Sequence, residues 1–171
     1  YEIGGVRLNS ATREVRIPCS VNMTEGVIEY ALVTETGKTH ESLLKTRAIP
    51  FDVQVALLLC HYEPHAGELV SILSNPQPEQ RALAKKDMEH PGANLVKLDL
   101  EWKDKDGKSH STALGNWIHN KREDKHLDIP HWVFNGADTG DGLFAAEADG
   151  SLISVQFDLA ALIGNPAKWT G

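Results

Sequence analysis

The sequence predicts an α+β fold in which antiparallel β-hairpins pack around one buried helix, with short peripheral helices. Three observations carry this expectation. Val27 to Val33 is apolar on both faces apart from Glu29, as an interior strand is. Pro50 to Cys60 reads as a helix opened by a proline suited to the first helical position, and from Val53 onward it has almost no polar side. Turn signals separate most of the other apolar runs at hairpin spacing. Hairpins rather than βαβ crossovers dominate, which disfavours a parallel doubly wound sheet.

Taken in order, Val6 to Leu8 and Val15 to Val21 read as a first hairpin. Val15, Ile17, Cys19 and Val21 alternate with polar or proline positions, the pattern of one buried face. Pro18 cannot donate to a ladder, so this strand is an edge or contains a bulge. A turn at Thr36-Gly37 would return Lys38 to Leu44 beside Val27 to Val33. Residues 79–89 suggest a polar surface helix with a thin apolar stripe, stopped by Pro91-Gly92. Leu95 to Lys103 alternates, with Val96, Leu98, Leu100 and Trp102 inward, and returns through Asp106-Gly107 to Leu114. Trp132 to Phe134 is a compact apolar strand, and Leu143 to Ala148 would pair with Leu152 to Phe157 across Asp149-Gly150. Asp158 would cap a short helix reaching Ile163.

With 171 residues the chain suits one core, hence a single globular domain over 1–171. A net charge of −7 with scattered Lys and Arg argues against nucleic acid as a partner. No stretch approaches the ~20 apolar residues of a membrane-spanning helix. Cys19 and Cys60 lie far apart and outside any CxxC pair, so we expect two free thiols rather than a disulfide, and no thiolate metal site.

Candidate chemistry is sparse, and we expect no catalytic residue, no bound metal and no cofactor. A turn between Thr36 and Gly37 sets Val33 opposite His40 and Leu32 opposite Glu41. Glu29 and His40 would then stand roughly 13 Å apart at ~3.3 Å per residue, too far for an acid–base dyad. Glu41 and Tyr30 would be diagonal neighbours, and His40 would be the one histidine near the core. A carboxylate on so apolar a sheet is paired, solvated or raised in pKa, which makes Glu29 and Glu41 candidates, although structural pairing with Arg47, Tyr30 or a backbone amide accounts for them better. His61 and His65 have helical ligand spacing, but Pro64 disfavours a helix there. His110 would oppose Lys103 on the wet face. Asp138-Thr139-Gly140-Asp141-Gly142 lacks the further acids of a calcium loop. An echo between Gly37–Leu44 and Gly107–Leu114 suggests either a duplicated hairpin or coincidence.

The run VIEYALV…GKTHESLL…IPFDVQVALLL, followed by HWVFNGA and DGSLISVQFDLAALIGNP, resembles the YdjY-type domain family over about residues 6–166. That family is a bacterial domain of unknown function, often in proteins with secretion or lipoprotein signals. The resemblance implies one globular domain and an extracytoplasmic address, periplasmic, secreted or lipid-anchored. The sequence begins at Tyr1 without a methionine, so an upstream signal or lipid anchor is expected. Some relatives carry cluster-binding cysteines; this chain has none of these.

The resulting expectation is a non-catalytic binding or scaffold domain of the bacterial cell envelope with an unknown protein or small-molecule ligand. Its positive clue is the aromatic content of the second half, Trp102, Trp117, Trp132 and Phe134. Glu29, His40, Glu41 and Trp132 are the candidate binding residues. The rival is a metal-dependent, hydrolase-like enzyme using His and Glu of the 29–65 region.

Overall fold

A computed structural model describes residues 1–64, 94–136, 145–156, 158 and 160–165. Among the described residues the fold is mixed α+β, mostly sheet with little helix. The expected helix at 79–89, the loop at 138–142 and His65 fall outside the described residues.

The chain opens with a small antiparallel sheet, β1 (Glu2–Ile3), β2 (Val6–Asn9) and β3 (Glu14–Arg16). Val6 and Leu8 are buried while Arg7 and Asn9 are exposed, the period of two expected of a one-sided strand. Leu8 pairs with Val15, so the first hairpin is present. It does not run on to Val21. Pro18 ends the ladder, and β4 (Ser20–Val21) crosses to the edge of a different sheet, leaving Cys19 and Val21 exposed.

That second sheet has seven strands in the order β4-β6-β5-β13-β14-β12-β7. Its other members are β5 (Tyr30–Thr34), β6 (Ser42–Thr46), β7 (Leu95–Val96), β12 (Trp132–Phe134), β13 (Ser151–Ser154) and β14 (Ile163–Gly164). The expected hairpin around Thr36-Gly37 is overturned, because β5 and β6 run parallel with Tyr30 opposite Ser42 and Leu32 opposite Leu44. A 3₁₀ turn at Thr39–Glu41 brings the chain back to start β6 beside the start of β5. The physical reason lies in the burial pattern: both strands are covered on both faces, as parallel strands characteristically are. β13 and β14 form a second parallel pair.

Helix α1 (Pro50–Leu59) starts at Pro50 as expected, but it is not buried on most sides. Val53, Ala56, Leu57 and Cys60 face inward against β2 and β3, whereas Phe51, Leu58 and Leu59 are about half exposed. Its C-terminus is clamped to the β2–β3 turn. Arg13 donates through Nε to the Cys60 carbonyl and through Nη2 to the His61 carbonyl, both at 3.2 Å. These bonds satisfy two carbonyls at the C-terminal end with a favourably placed cation.

Leu95 to Lys103 divides in two. β7 joins the edge of the seven-stranded sheet, while β8 (Asp99–Lys103), among the described residues, pairs only with β9 (Ser109–Ala113) in a separate hairpin. A last small hairpin joins β10 (His119–Asn120) to β11 (Lys125–His126). The hairpin expected across Asp149-Gly150 is also overturned. Ala145–Asp149 is a short helix, α2, and β13 pairs with β5 instead. Gly150 has φ +68 and sits against Gly37, whose Cα would lie 2.8 Å from an added Cβ, so a side chain there is excluded twice. The helix expected from Asp158 to Ile163 is replaced by a turn, in which Asp158 Oδ1 accepts from the Ala160 amide, followed by β14. The echoed segments are unlike: one is a parallel strand entered through a 3₁₀ turn, the other an antiparallel hairpin arm.

One large buried cluster joins the two main sheets and α1, from Val6 to Ile163. Trp132, Phe134, Leu152 and Leu162 are its bulkiest fully enclosed side chains. Buried polar groups tie loops to this core: Asn135 Nδ2 donates to the Ala161 carbonyl and Asn165 Nδ2 to that of Val155.

Candidate functional site

Of the four residues the sequence singles out, the structure brings three together. In the parallel register Glu29 and Glu41 precede the paired Tyr30 and Ser42, and His40 adjoins them at the same end of β5 and β6. Glu29 is exposed and acts through its main chain, its amide donating to the Glu41 carbonyl at 2.9 Å and its carbonyl accepting from Val155. The His40 side chain is 79% exposed, with Nε2 3.8 Å from Glu41 Oε1. The expectation that His40 lies near the core is therefore wrong, because it rested on the hairpin register that the parallel pairing replaces. Trp132 lies in β12 at 1% exposure and is a core residue, unable to meet a partner.

Two groupings escaped the sequence reading. The first surrounds Tyr30, which is almost wholly buried. Its hydroxyl donates to Asp158 Oδ2 and accepts from Lys38 Nζ, each at 2.7 Å, and Lys38 also pairs with Asp149 at 3.2 Å. Burial pushes the Tyr30 phenol above its ordinary value. The Lys38 ammonium is held above its own, chiefly by the bond to Tyr30. Both groups keep their protons at neutral pH, so the cluster is a hydrogen-bonded bridge between β5, α2 and the Asp158 turn rather than a poised base.

The second grouping is aromatic and lies on the β8–β9 hairpin. Trp102 pairs with His110, and their rings stack at 5.3 Å with an 18° tilt. Trp117, in a 3₁₀ turn at Leu114–Trp117, meets Trp102 at 5.2 Å. His110 was expected opposite Lys103 and exposed; it is one register step away and half-buried. The reason is the turn. Asp104 Oδ1 accepts from the amides of Asp106 and Lys108, which makes the loop five residues long, from 104 to 108. Asp104 Oδ2 then meets His110 Nε2 at 2.7 Å, fixing the imidazole under the indole. That bond, with those from the two amides, holds the Asp104 carboxyl below the usual range.

Trp102 remains 37% exposed. Leu100 and Trp102 share one face of β8, and Leu98, the residue before it, lines a cleft of about 220 Å³. Asn116, His126, Asp128 and Ile129 also line it. Leu98, Leu100 and Trp117 pack against the buried cluster, so what this face offers a ligand is the fixed, partly exposed indole, with the polar recess at its Leu98 end.

Among the described residues no three His, Cys, Asp or Glu side chains group closely enough to hold a metal ion. No described helix is long and apolar enough to cross a membrane. Compared with protein-family models, curated proteins and solved structures, the chain matches none. The likeness to the YdjY-type domains thus rests on the residues quoted for it.

Proposed function

We propose that this protein is a non-catalytic, YdjY-type binding or scaffold module of the bacterial cell envelope, acting outside the cytoplasm and contacting its ligand through the β8–β9 face. The supporting observation is the exposed indole of Trp102, held by a stacked His110, a tilted Trp117 and the Asp104 anchor. A large amphipathic side chain already fixed in place loses little entropy on binding, and tryptophan is enriched where partners meet. Against the hydrolase reading stand the solvent position of His40 and the main-chain role of Glu29. The extracytoplasmic setting, with a lipid anchor or secretion signal upstream, follows from the family resemblance.

The test places a photoreactive phenylalanine at position 102 and, as a control, at the exposed Lys121, in protein returned to its native envelope. A discrete adduct from position 102 alone supports the proposal. Equal adducts from both positions, or none from 102, contradict it.

A further inference from the structure

The β10–β11 hairpin places two histidines face to face across its strands, His119 directly opposite His126. Directly paired residues hold their Cβ atoms about 4.5–5.5 Å apart, and here the imidazole centres lie 5.7 Å apart at 83°. The backbone beneath them is anchored. Leu127 donates its amide to the Ile118 carbonyl at 2.9 Å, and both side chains are buried at 6% exposure. Above that anchor the His119 side chain is 45% exposed, and His126 is also exposed. Two imidazoles projecting from paired positions of a pinned hairpin form a bidentate chelate once their rings rotate to aim a nitrogen at one ion, at bond lengths of about 2.0–2.1 Å.

A third group sets the chemistry of the pair. Asp124, with φ +50, brings Oδ1 to 3.4 Å from His119 Nε2. A carboxylate on one imidazole nitrogen orients the ring and makes the other nitrogen a better ligand, the usual outer partner of a metal-bound histidine. The contact is an ion-pair approach by a 95%-exposed side chain and not a hydrogen bond, and it biases His119 toward ligating through Nδ1. The neighbouring Lys125 is neutralised by Glu123 at 2.8 Å, which reduces its repulsion of an arriving cation.

We propose that His119 and His126 form a surface site for a divalent transition ion, with Asp124 as the positioning carboxylate. No third protein donor encloses the ion among the described residues, so water completes the shell and the ion exchanges readily. Imidazole suits zinc, nickel and copper, and the order of divalent affinities places Cu²⁺ highest. Ligation needs neutral imidazole, so binding weakens on acidification. This inference is independent of the β8–β9 reading, although His126 also borders the cleft.

The test is a Cu²⁺ titration of the full, tag-free chain by calorimetry, with electron paramagnetic resonance to count nitrogen ligands. The expected result is one ion per chain bound by two nitrogens. H119Q and H126Q should each weaken it at least about tenfold, D124N less strongly, and H40Q not at all. All four positions are exposed, and circular dichroism confirms that each variant folds. Equal binding by wild type and the H119Q/H126Q double variant overturns the proposal, as does loss of binding in H40Q. Unchanged affinity in D124N strikes out the part assigned to the carboxylate.

Discussion

Lys38 Nζ donates to the Tyr30 hydroxyl across 2.7 Å, tying the turn after β5 to the strand it leaves. Both groups hold their protons more firmly in the folded chain than in the unfolded one. Their contribution is therefore complete below the unfolded values, near pH 10, and is lost as pH rises through the higher folded values. Thermal melts from pH 9 up to the highest pH the fold survives should show an alkaline fall in stability that, above the ordinary lysine value, is shallower in Lys38→Met. Tyr30→Phe should cost about 1 kcal/mol at neutral pH, since Lys38 and Asp158 can turn to water. An identical alkaline fall in Lys38→Met would contradict the pairing.

At the other end of the pH scale, Asp104 gives the opposite sign. Its carboxyl is held low, first by the hydrogen bond from His110, so its contribution is present above the ordinary carboxylate range. That contribution is lost as pH falls through the folded value, below about pH 4. Because His110 stacks on Trp102, indole fluorescence reports the event. His110→Gln should move the acid transition to higher pH; an unmoved transition counts against the anchor.

Of the three tryptophans that stand out as aromatic clues in the sequence, Trp102 and Trp132 should behave oppositely. Trp132→Ala empties a fully buried site and should cost about 3–5 kcal/mol. Trp102→Ala removes a partly exposed ring and should cost about 1 kcal/mol or less. Chemical denaturation of the two variants checks this, and comparable losses would contradict the assignment of one to the core and the other to the surface.

Cys19 is exposed, while Cys60 is buried at the end of α1 with its thiol pushed up by that burial. Alkylation under native conditions should modify Cys19 promptly and Cys60 only as the chain opens. Mass spectrometry of the quenched reaction distinguishes the two sites. Prompt labelling of Cys60 would show that α1 does not pack on β2 and β3 as described.

Period and burial in the sequence located β2, β12 and α1, because each depends on local pattern alone. Pairing direction was less legible. Tyr30 to Val33 reads as doubly buried, which suits a parallel strand, yet Thr36-Gly37 carries a hairpin signal that the Thr39–Glu41 turn overrides. That one choice carried the positions of Glu29, His40 and Glu41 with it. His110 was misplaced by a single step, since the amides captured by Asp104 lengthen the turn. Tyr30 and Asp158 are separated by 128 positions, a contact without a local signature. Trp102 and Trp132 stand together as aromatic clues in the sequence, and only packing distinguishes the exposed indole from the buried one.

Hydroxyl-radical footprinting of Trp102 compares purified protein with protein in its native envelope, using the 92%-exposed Tyr1 as reference. The proposed contact face predicts that Trp102 oxidation falls severalfold in the envelope while Tyr1 is unchanged. Equal oxidation of Trp102 in both settings, or protection confined to Leu58 and Leu59 of α1, would contradict it.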